Sequence, residues 1–179
     1  DQQREEHLRC LELTIQQPTF WPEDADPVAL EYRFSGEWQG LKVRGCVDRI
    51  DRTAEGLVLI DYKTSSSTPK GIKDESGRAS VDVQLPLYQA VAAPQLSADA
   101  PVADAYYYSL TKGKILKRCK SGVDASLVEA IERCKGHLDR GHYPVQPDTK
   151  RDACRYCDFD SLCRQGDRLS RKEENHGTH

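Results

Sequence analysis

The sequence has no methionine, only three phenylalanines and two tryptophans, and no apolar run near the roughly 20 residues that a membrane-spanning helix needs. Its N-terminus lacks the apolar core of a signal peptide. Instead it opens in what reads as the middle of a helix, Asp1 to Gln17. With methionine missing as well, this marks the chain as a piece of a longer protein. Positive charge is not in excess: 26 Lys and Arg face 29 Asp and Glu, a net charge of −3. The total therefore does not advertise a binder of phosphate backbones. A disulfide scaffold is excluded too. The seven cysteines are odd in number, no secretory signal accompanies them, three crowd together near the end and four are scattered. A reducing, cytoplasmic setting with a metal or cluster site fits this layout better. What remains, 37% hydrophobic and 31% charged residues in a chain of 179, is the composition of one ordinary globular domain.

Periodicity orders the chain. Asp1 to Gln17 carries Leu8, Leu11 and Ile15 at helical spacing and predicts an amphipathic helix ended by Pro18 and Pro22. Val28 to Phe34 and Trp38 to Asp51 read as strands, with Gly36 and Gly40 as punctuation. Thr53 to Gly56 reads as a hairpin turn, and Leu57 to Thr64 as an apolar strand buried on both sides. Ser65 to Ser80 is polar and without periodicity, a loop that could lie beside an active site. Ala79 to Ala93 is helical in character. Because proline is tolerated only in the first turn, Pro86 sets the regular helix to begin close to Gln84. Asp104 to Leu110 and Lys114 to Lys120 predict two strands around a Lys112-Gly113 turn, and Ala125 to Arg140 a further amphipathic helix stopped by Gly141. The expected domain spans residues 1–167 and leaves a polar tail, 168–179, without order. Helix, strand meander, helix, strands, helix is the sequence of an α/β fold with a mixed central sheet flanked by helices.

The chemistry concentrates in Gly45-Cys46-Val47-Asp48-Arg49 and Ile60-Asp61-Tyr62-Lys63-Thr64. Strand residues two apart point the same way, so Asp61 and Lys63 share a face with Tyr62 opposite. A short hairpin between the two strands can bring Asp48 beside Asp61. Two carboxylates and a lysine at a sheet end suit a hard cation such as Mg²⁺, although taken alone Asp61 and Lys63 could equally form a simple salt bridge. Asp51, three residues after Asp48, falls on the other strand face as a structural partner of Arg49 or Arg52. The run Lys112, Lys114, Lys117, Arg118 is a basic strip that could hold a DNA backbone, or a solvated strand face.

Gly45-x-x-Asp48-Arg49, then Asp61-Tyr62-Lys63-Thr64, then Gln84-Leu85-Pro86-Leu87-Tyr88 resembles the RecB-type nuclease domain of the PD-(D/E)XK superfamily, with its restriction-endonuclease-like fold. Within that superfamily the resemblance is to AddB-like helicase–nuclease subunits and related bacterial DNA repair proteins, over about Val28 to Cys163. It implies a Mg²⁺- or Mn²⁺-dependent deoxyribonuclease, an exonuclease on single strands or DNA ends in repair or recombination, with a helicase region or subunit as partner. It further implies that Asp48, Asp61 and the Tyr62 carbonyl hold the metal, that Lys63 is the catalytic lysine, and that Gln84 and Tyr88, four apart on one helix face, look into the site. Glu31 occupies a strand position where such domains often carry an acid, an exposed strand glutamate being the alternative. His7 could stand for the histidine of their first helix, although Arg4-Glu5-Glu6 replaces the small residues that usually precede it.

Cys154-x₂-Cys157-x₅-Cys163 lies in an otherwise polar segment, where core packing does not explain three thiolates and a metal centre does. Zinc is the default for such ligands. The spacing resembles iron–sulfur nucleases of the same family, which implies a 4Fe–4S cluster completed by an N-terminal cysteine. Cys10 is the candidate. Two other functions remain open: a CRISPR-associated adaptation nuclease, and a catalytically silent DNA-binding scaffold.

Overall fold

The computed structural model describes residues 2–69, 71–73, 80–119 and 123–142. Cys154, Cys157, Cys163 and the tail 168–179 lie outside the described residues. Residues 1–135 form one compact unit and 136–179 a second. In chain order the elements are α1 (Gln2–Ile15), β1 (Asp26–Trp38), β2 (Leu41–Thr53), β3 (Gly56–Lys63), β4 (Ile72–Lys73), β5 (Ser80–Val81), α2 (Gln84–Leu87), a π turn (Tyr88–Ala92), α3 (Ala93–Leu96), β6 (Val102–Ser109), β7 (Lys114–Arg118) and α4 (Ala125–Asp139). The main sheet runs β1-β2-β3-β6-β7, parallel between β3 and β6 and antiparallel elsewhere. It is the mixed sheet with flanking helices that the pattern implies.

β3 sits in the middle and is buried along most of its length, as its apolar run requires. Its parallel partner β6 is reached only through the crossover from 64 to 101, since parallel strands cannot be joined by a tight turn. One face of the sheet packs Leu57, Leu59, Ala105 and Tyr107 against Leu85, Tyr88, Val91 and Ala92 of the crossover helix, with Leu127 and Ile131. The other face carries a smaller aromatic cluster, Ile60, Tyr106 and Tyr108 with Phe20 and Tyr62 packed on it.

Four expectations need correction. Gly36 does not break β1, which continues to Trp38. A Cβ there would come within 2.9 Å of Val91 Cγ1, so the glycine serves close approach of the helix rather than a turn. The turn comes at Gln39 and Gly40, both left-handed at φ 51° and 74°, as a two-residue hairpin of the favoured twist demands. Second, the polar stretch after β3 is not all loop, because Ile72–Lys73 pairs with Ser80–Val81. Third, the helix begins at Gln84 as expected but runs past Ala93 to Leu96. It crosses Pro94 by opening one turn: the Ala93 N–H donates to the Tyr88 carbonyl, five residues back. Proline has no N–H to give and its ring collides with the carbonyl four residues earlier, and widening the ladder removes the collision. Fourth, the apolar residues of α1 are not covered by described residues. Leu8, Leu11 and Ile15 are 43–54% exposed. The helix is tied down instead by Thr14, which is buried and donates its hydroxyl to the Leu110 carbonyl at 2.7 Å.

In the second unit, the described residues end α4. Gly141 is left-handed at φ 59° and its N–H donates to the Leu138 carbonyl at 3.0 Å, the usual use of glycine just past a helix.

Candidate active site

Pairing of β2 with β3 runs from Thr53↔Gly56 to Arg49↔Ile60. One step on, Asp48 stands opposite Asp61, and there a side chain replaces the main-chain ladder: Asp48 Oδ2 accepts the Tyr62 N–H at 2.7 Å. β1 brings Glu31 level with Asp48, between the pairs Leu30↔Arg49 and Tyr32↔Val47. β6 sets Tyr107 against Asp61, and β7 sets Lys117 against Tyr107. A row of Glu31, Asp48, Asp61, Tyr107 and Lys117 thus crosses the sheet.

Asp61 is 2% exposed. Its Oδ1 accepts from Gln84 Nε2 at 2.5 Å and from the Tyr88 hydroxyl at 3.1 Å. Its Oδ2 is buried without a hydrogen bond. Lys63 Nζ forms an ion pair with that oxygen by proximity, but not with the direction of a hydrogen bond. We therefore treat Oδ2 as a lone-pair donor held ready in a dry site. Lys63 Nζ also donates to Gln84 Oε1 at 3.1 Å and lies 5.0 Å over the Tyr107 ring. Gln84 clamps the carboxylate with one end of its amide and the ammonium with the other. Its neighbour one turn on, Tyr88, accepts from Gln84 Nε2 at 2.7 Å and donates to the Cys46 carbonyl at 2.8 Å. Asp61 and Lys63 share a face, Tyr62 lies on the other, and the motif residues of the helix do converge on Asp61.

Charge is tuned accordingly. Burial pushes the Asp48 carboxyl up, and the negative charges of Asp61 and Glu31 add to this against the Tyr62 N–H and Lys63. Burial also pushes the Tyr88 and Tyr107 hydroxyls well above their ordinary range, so both remain hydrogen-bond donors. The Cys46 thiol is raised by burial and by its contact with Glu31, to which it donates at 3.5 Å. Glu31 itself has a left-handed backbone, φ 49°, which is strained for a non-glycine residue. Strain of this kind collects at functional sites.

Among the described residues no group of three or more His, Cys, Asp or Glu side chains is gathered closely enough to hold a metal by itself. Two adjoining carboxylates, one with an orphaned buried oxygen, are nonetheless the donor set of a small hard cation, which keeps most of its waters and takes only one or two carboxylates.

Two residues that the sequence reading missed support the site. Asp82 Oδ1 accepts the Gln84 N–H at 3.1 Å and the Tyr107 hydroxyl at 2.8 Å. An aspartate two residues before a helix start is a capping signal that could have disclosed it. Tyr107 is the middle residue of three tyrosines on a buried strand, and alternation alone puts it on the Asp61 face. The basic strip divides. Lys117 is drawn to Asp82 at 3.4 Å, and Arg118, on the other face, pairs with Asp104 and lies over the Tyr106 ring. Lys112 and Lys114 stay exposed. Their turn is fastened beside the end of β3 by the Leu110 N–H to the Lys63 carbonyl at 2.9 Å and by Ser109 Oγ to the Ser65 carbonyl at 2.8 Å. Cys10 is half-buried on α1, and Cys46, Cys119 and Cys134 are half-buried too. His7 is exposed on the same helix.

Gly45 explains itself here. A Cβ would come within 2.6 Å of Phe34 Cζ, and the Phe34 ring meets Tyr88 edge to face at 5.8 Å. Gly45→Ala is therefore expected to cost about 1–3 kcal/mol of stability, the usual penalty of overpacking, and to weaken the site through Tyr88. Urea denaturation reads the first effect. The second would show as a shift in the Tyr88 ring resonances, and unchanged rings would disprove the coupling.

Asp48 gives a pH dependence. Its folded-state value lies above the unfolded 3.8, so the native state takes up this proton first as pH falls. Its contribution to the stability of the metal-free domain must then rise on acidification into the carboxylate range, and be lost as pH rises through the folded value. Denaturation in EDTA at several pH values, parent against Asp48→Asn, isolates this share as the difference between the two curves. A difference of the opposite slope would contradict the burial of Asp48.

A search of curated proteins returns no relative. The family description that matches, over residues 2–164, is that of the PD-(D/E)XK nuclease superfamily. With a match over that share of its length, the chain belongs to the PD-(D/E)XK nuclease superfamily.

Proposed function

We propose that this domain hydrolyses phosphodiester bonds of DNA with Mg²⁺ or Mn²⁺ held by Asp48 and Asp61. The observation that carries this reading is Asp61 Oδ2, buried and without a hydrogen bond, next to the Asp48 carboxylate and the Lys63 ammonium. The bound cation would polarise a phosphoryl oxygen and acidify a water. The chain supplies the rest. Gln84 and Tyr88 fix Asp61 by its other oxygen, so that Oδ2 keeps its direction. Lys63, held by Gln84 Oε1 and the Tyr107 ring, keeps a positive charge where negative charge would develop on the phosphate. Tyr62 lends its N–H to orient Asp48, and its carbonyl, at the same strand end, is the third ligand we assign. Glu31 assists from the neighbouring strand through its charge.

The fuller reading follows the motifs. The domain acts as an exonuclease on single strands or ends during repair or recombination, as an AddB-like subunit beside a helicase region. Cys154, Cys157 and Cys163, with Cys10, are the ligands we assign to a 4Fe–4S cluster. Iron and sulfide counts on the anaerobically purified protein test the cluster against zinc.

For the activity, labelled single-stranded DNA is incubated with the anaerobically purified protein and Mg²⁺, Mn²⁺ or EDTA. Degradation with either metal and none with EDTA is the expected result. A folded protein inert under every metal would favour the silent scaffold.

A further inference from the structure

At the β1 edge of the sheet, Arg33 and Arg44 are exposed and form no ion pair with any described residue, unlike Lys117 and Arg118. The register Arg33↔Cys46 and Ser35↔Arg44, with Phe34↔Gly45 between them, sets these four residues two rungs apart on one strand pair. They line an open cleft of about 650 Å³, to which Gln95 contributes. Gln95 Nε2 donates to the Ser35 carbonyl at 3.0 Å, which fixes the wall. The cleft adjoins the carboxylates through a single residue. Cys46 lines it, and the Cys46 carbonyl accepts the Tyr88 hydroxyl that also reaches Asp61. Arg33 follows Glu31 by two residues on β1 and its partner Cys46 precedes Asp48 by two on β2, so the arginine stands about 6.7 Å along the strands from the rung of the carboxylates.

The spacing suits a polynucleotide. Arg33 and Arg44 stand two rungs apart, about 6.7 Å, on strands about 4.8 Å from each other, close enough for their guanidinium groups to take neighbouring phosphates of one backbone. An acidic domain has reason to place its unpaired cations here, since only charge close to the bound backbone escapes screening.

We propose that Arg33 and Arg44 form a cradle for the backbone phosphates of the DNA strand on the β1 side of the cleavage site. This rests on the nuclease reading given above. With Lys112 and Lys114 at the far side of Lys63, a strand crossing the carboxylates would find positive charge on both flanks.

The test uses the full chain. Cleavage of labelled single-stranded DNA is compared for the parent, Arg33→Gln/Arg44→Gln and Arg52→Gln, the last an exposed arginine at the far end of β2. Binding is followed by anisotropy in EDTA at several salt concentrations. The double variant is expected to raise KM about tenfold or more with kcat within threefold. It should also flatten the slope of log affinity against log salt by about 1.4, at roughly 0.7 per phosphate on a single strand. Arg52→Gln should change neither. Melting temperatures check the fold, and each single variant, expected to show about half the slope change, serves if the double one is unstable. A cleaving parent whose KM and salt slope survive the double substitution removes the cradle and leaves the nuclease standing. A parent that binds with arginine-dependent slope but never cleaves does the reverse, and one that neither binds nor cleaves overturns both.

Discussion

Asp61→Asn is expected to lower metal-dependent cleavage by on the order of a thousandfold while the domain stays folded. The buried carboxylate has two oxygens with different tasks. One accepts from Gln84 and Tyr88, the other is left without a hydrogen bond. Asparagine can keep the first set and cannot offer a charged oxygen to a cation. The cost to stability should be small, because Lys63 is 23% exposed and retains water when its partner is neutralised. Two further readouts separate this from a merely weakened fold. Added Mg²⁺ should raise the melting temperature of the parent and not that of the variant, since only a ligand that binds the native state stabilises it. The Asp48 carboxyl should also titrate lower in the variant, because the Asp61 charge is one of the causes that push it up. Full activity in the variant would remove Asp61 from the reaction.

The largest effect on stability should come from Arg49→Met. Arg49 and Asp51 are each 1% exposed and joined by two hydrogen bonds, Nε to Oδ1 at 2.6 Å and Nη2 to Oδ2 at 2.5 Å. The guanidinium also donates to the Phe20 carbonyl at 2.8 Å and lies 4.1 Å over the Trp21 ring. Removing it strands a buried carboxylate, which typically costs about 3–5 kcal/mol, a large part of the roughly 5–15 kcal/mol that holds a domain together. Lysine would not restore the two-pronged contact. The double variant Arg49→Met/Asp51→Leu should recover most of the loss, because no uncompensated charge then remains. Chemical denaturation of the three variants decides it: a double variant no more stable than Arg49→Met would mean that the packing on Phe20 and Trp21, not the charge pair, is what matters.

Much of this site was legible in the sequence because strand chemistry has period two. Asp61 and Lys63 had to share a face, Asp51 had to take the other with an arginine, and a hairpin had to bring Asp48 near. The spacing of Gln84 and Tyr88 carried them onto the site for the same kind of reason. What escaped depends on contacts between segments far apart in the chain. No local pattern shows that Gly45 makes room for Phe34, or that Glu31 adopts a left-handed backbone. Counting lysines and arginines does not show that Asp82 and Asp104 fall beside Lys117 and Arg118, and Arg33 and Arg44, separated in the sequence, look unremarkable until a hairpin sets them two rungs apart. The exposed stripe of α1 followed the helical period correctly. That period says which residues align and not whether anything covers them.

The widened turn between Tyr88 and Ala92 bears on how the length of this helix can change. Because that turn holds one residue more than an ordinary one, the half that carries Gln84 and Tyr88 is uncoupled from the half that lays Val91 and Gln95 along β1. A one-residue deletion there could be absorbed by closing the ladder back to its usual span, and an insertion elsewhere in the helix could not. The distance from the glutamine–tyrosine pair to the next apolar contact, Val91 on Gly36, can accordingly shorten by one without moving either end, while the distance within the pair cannot.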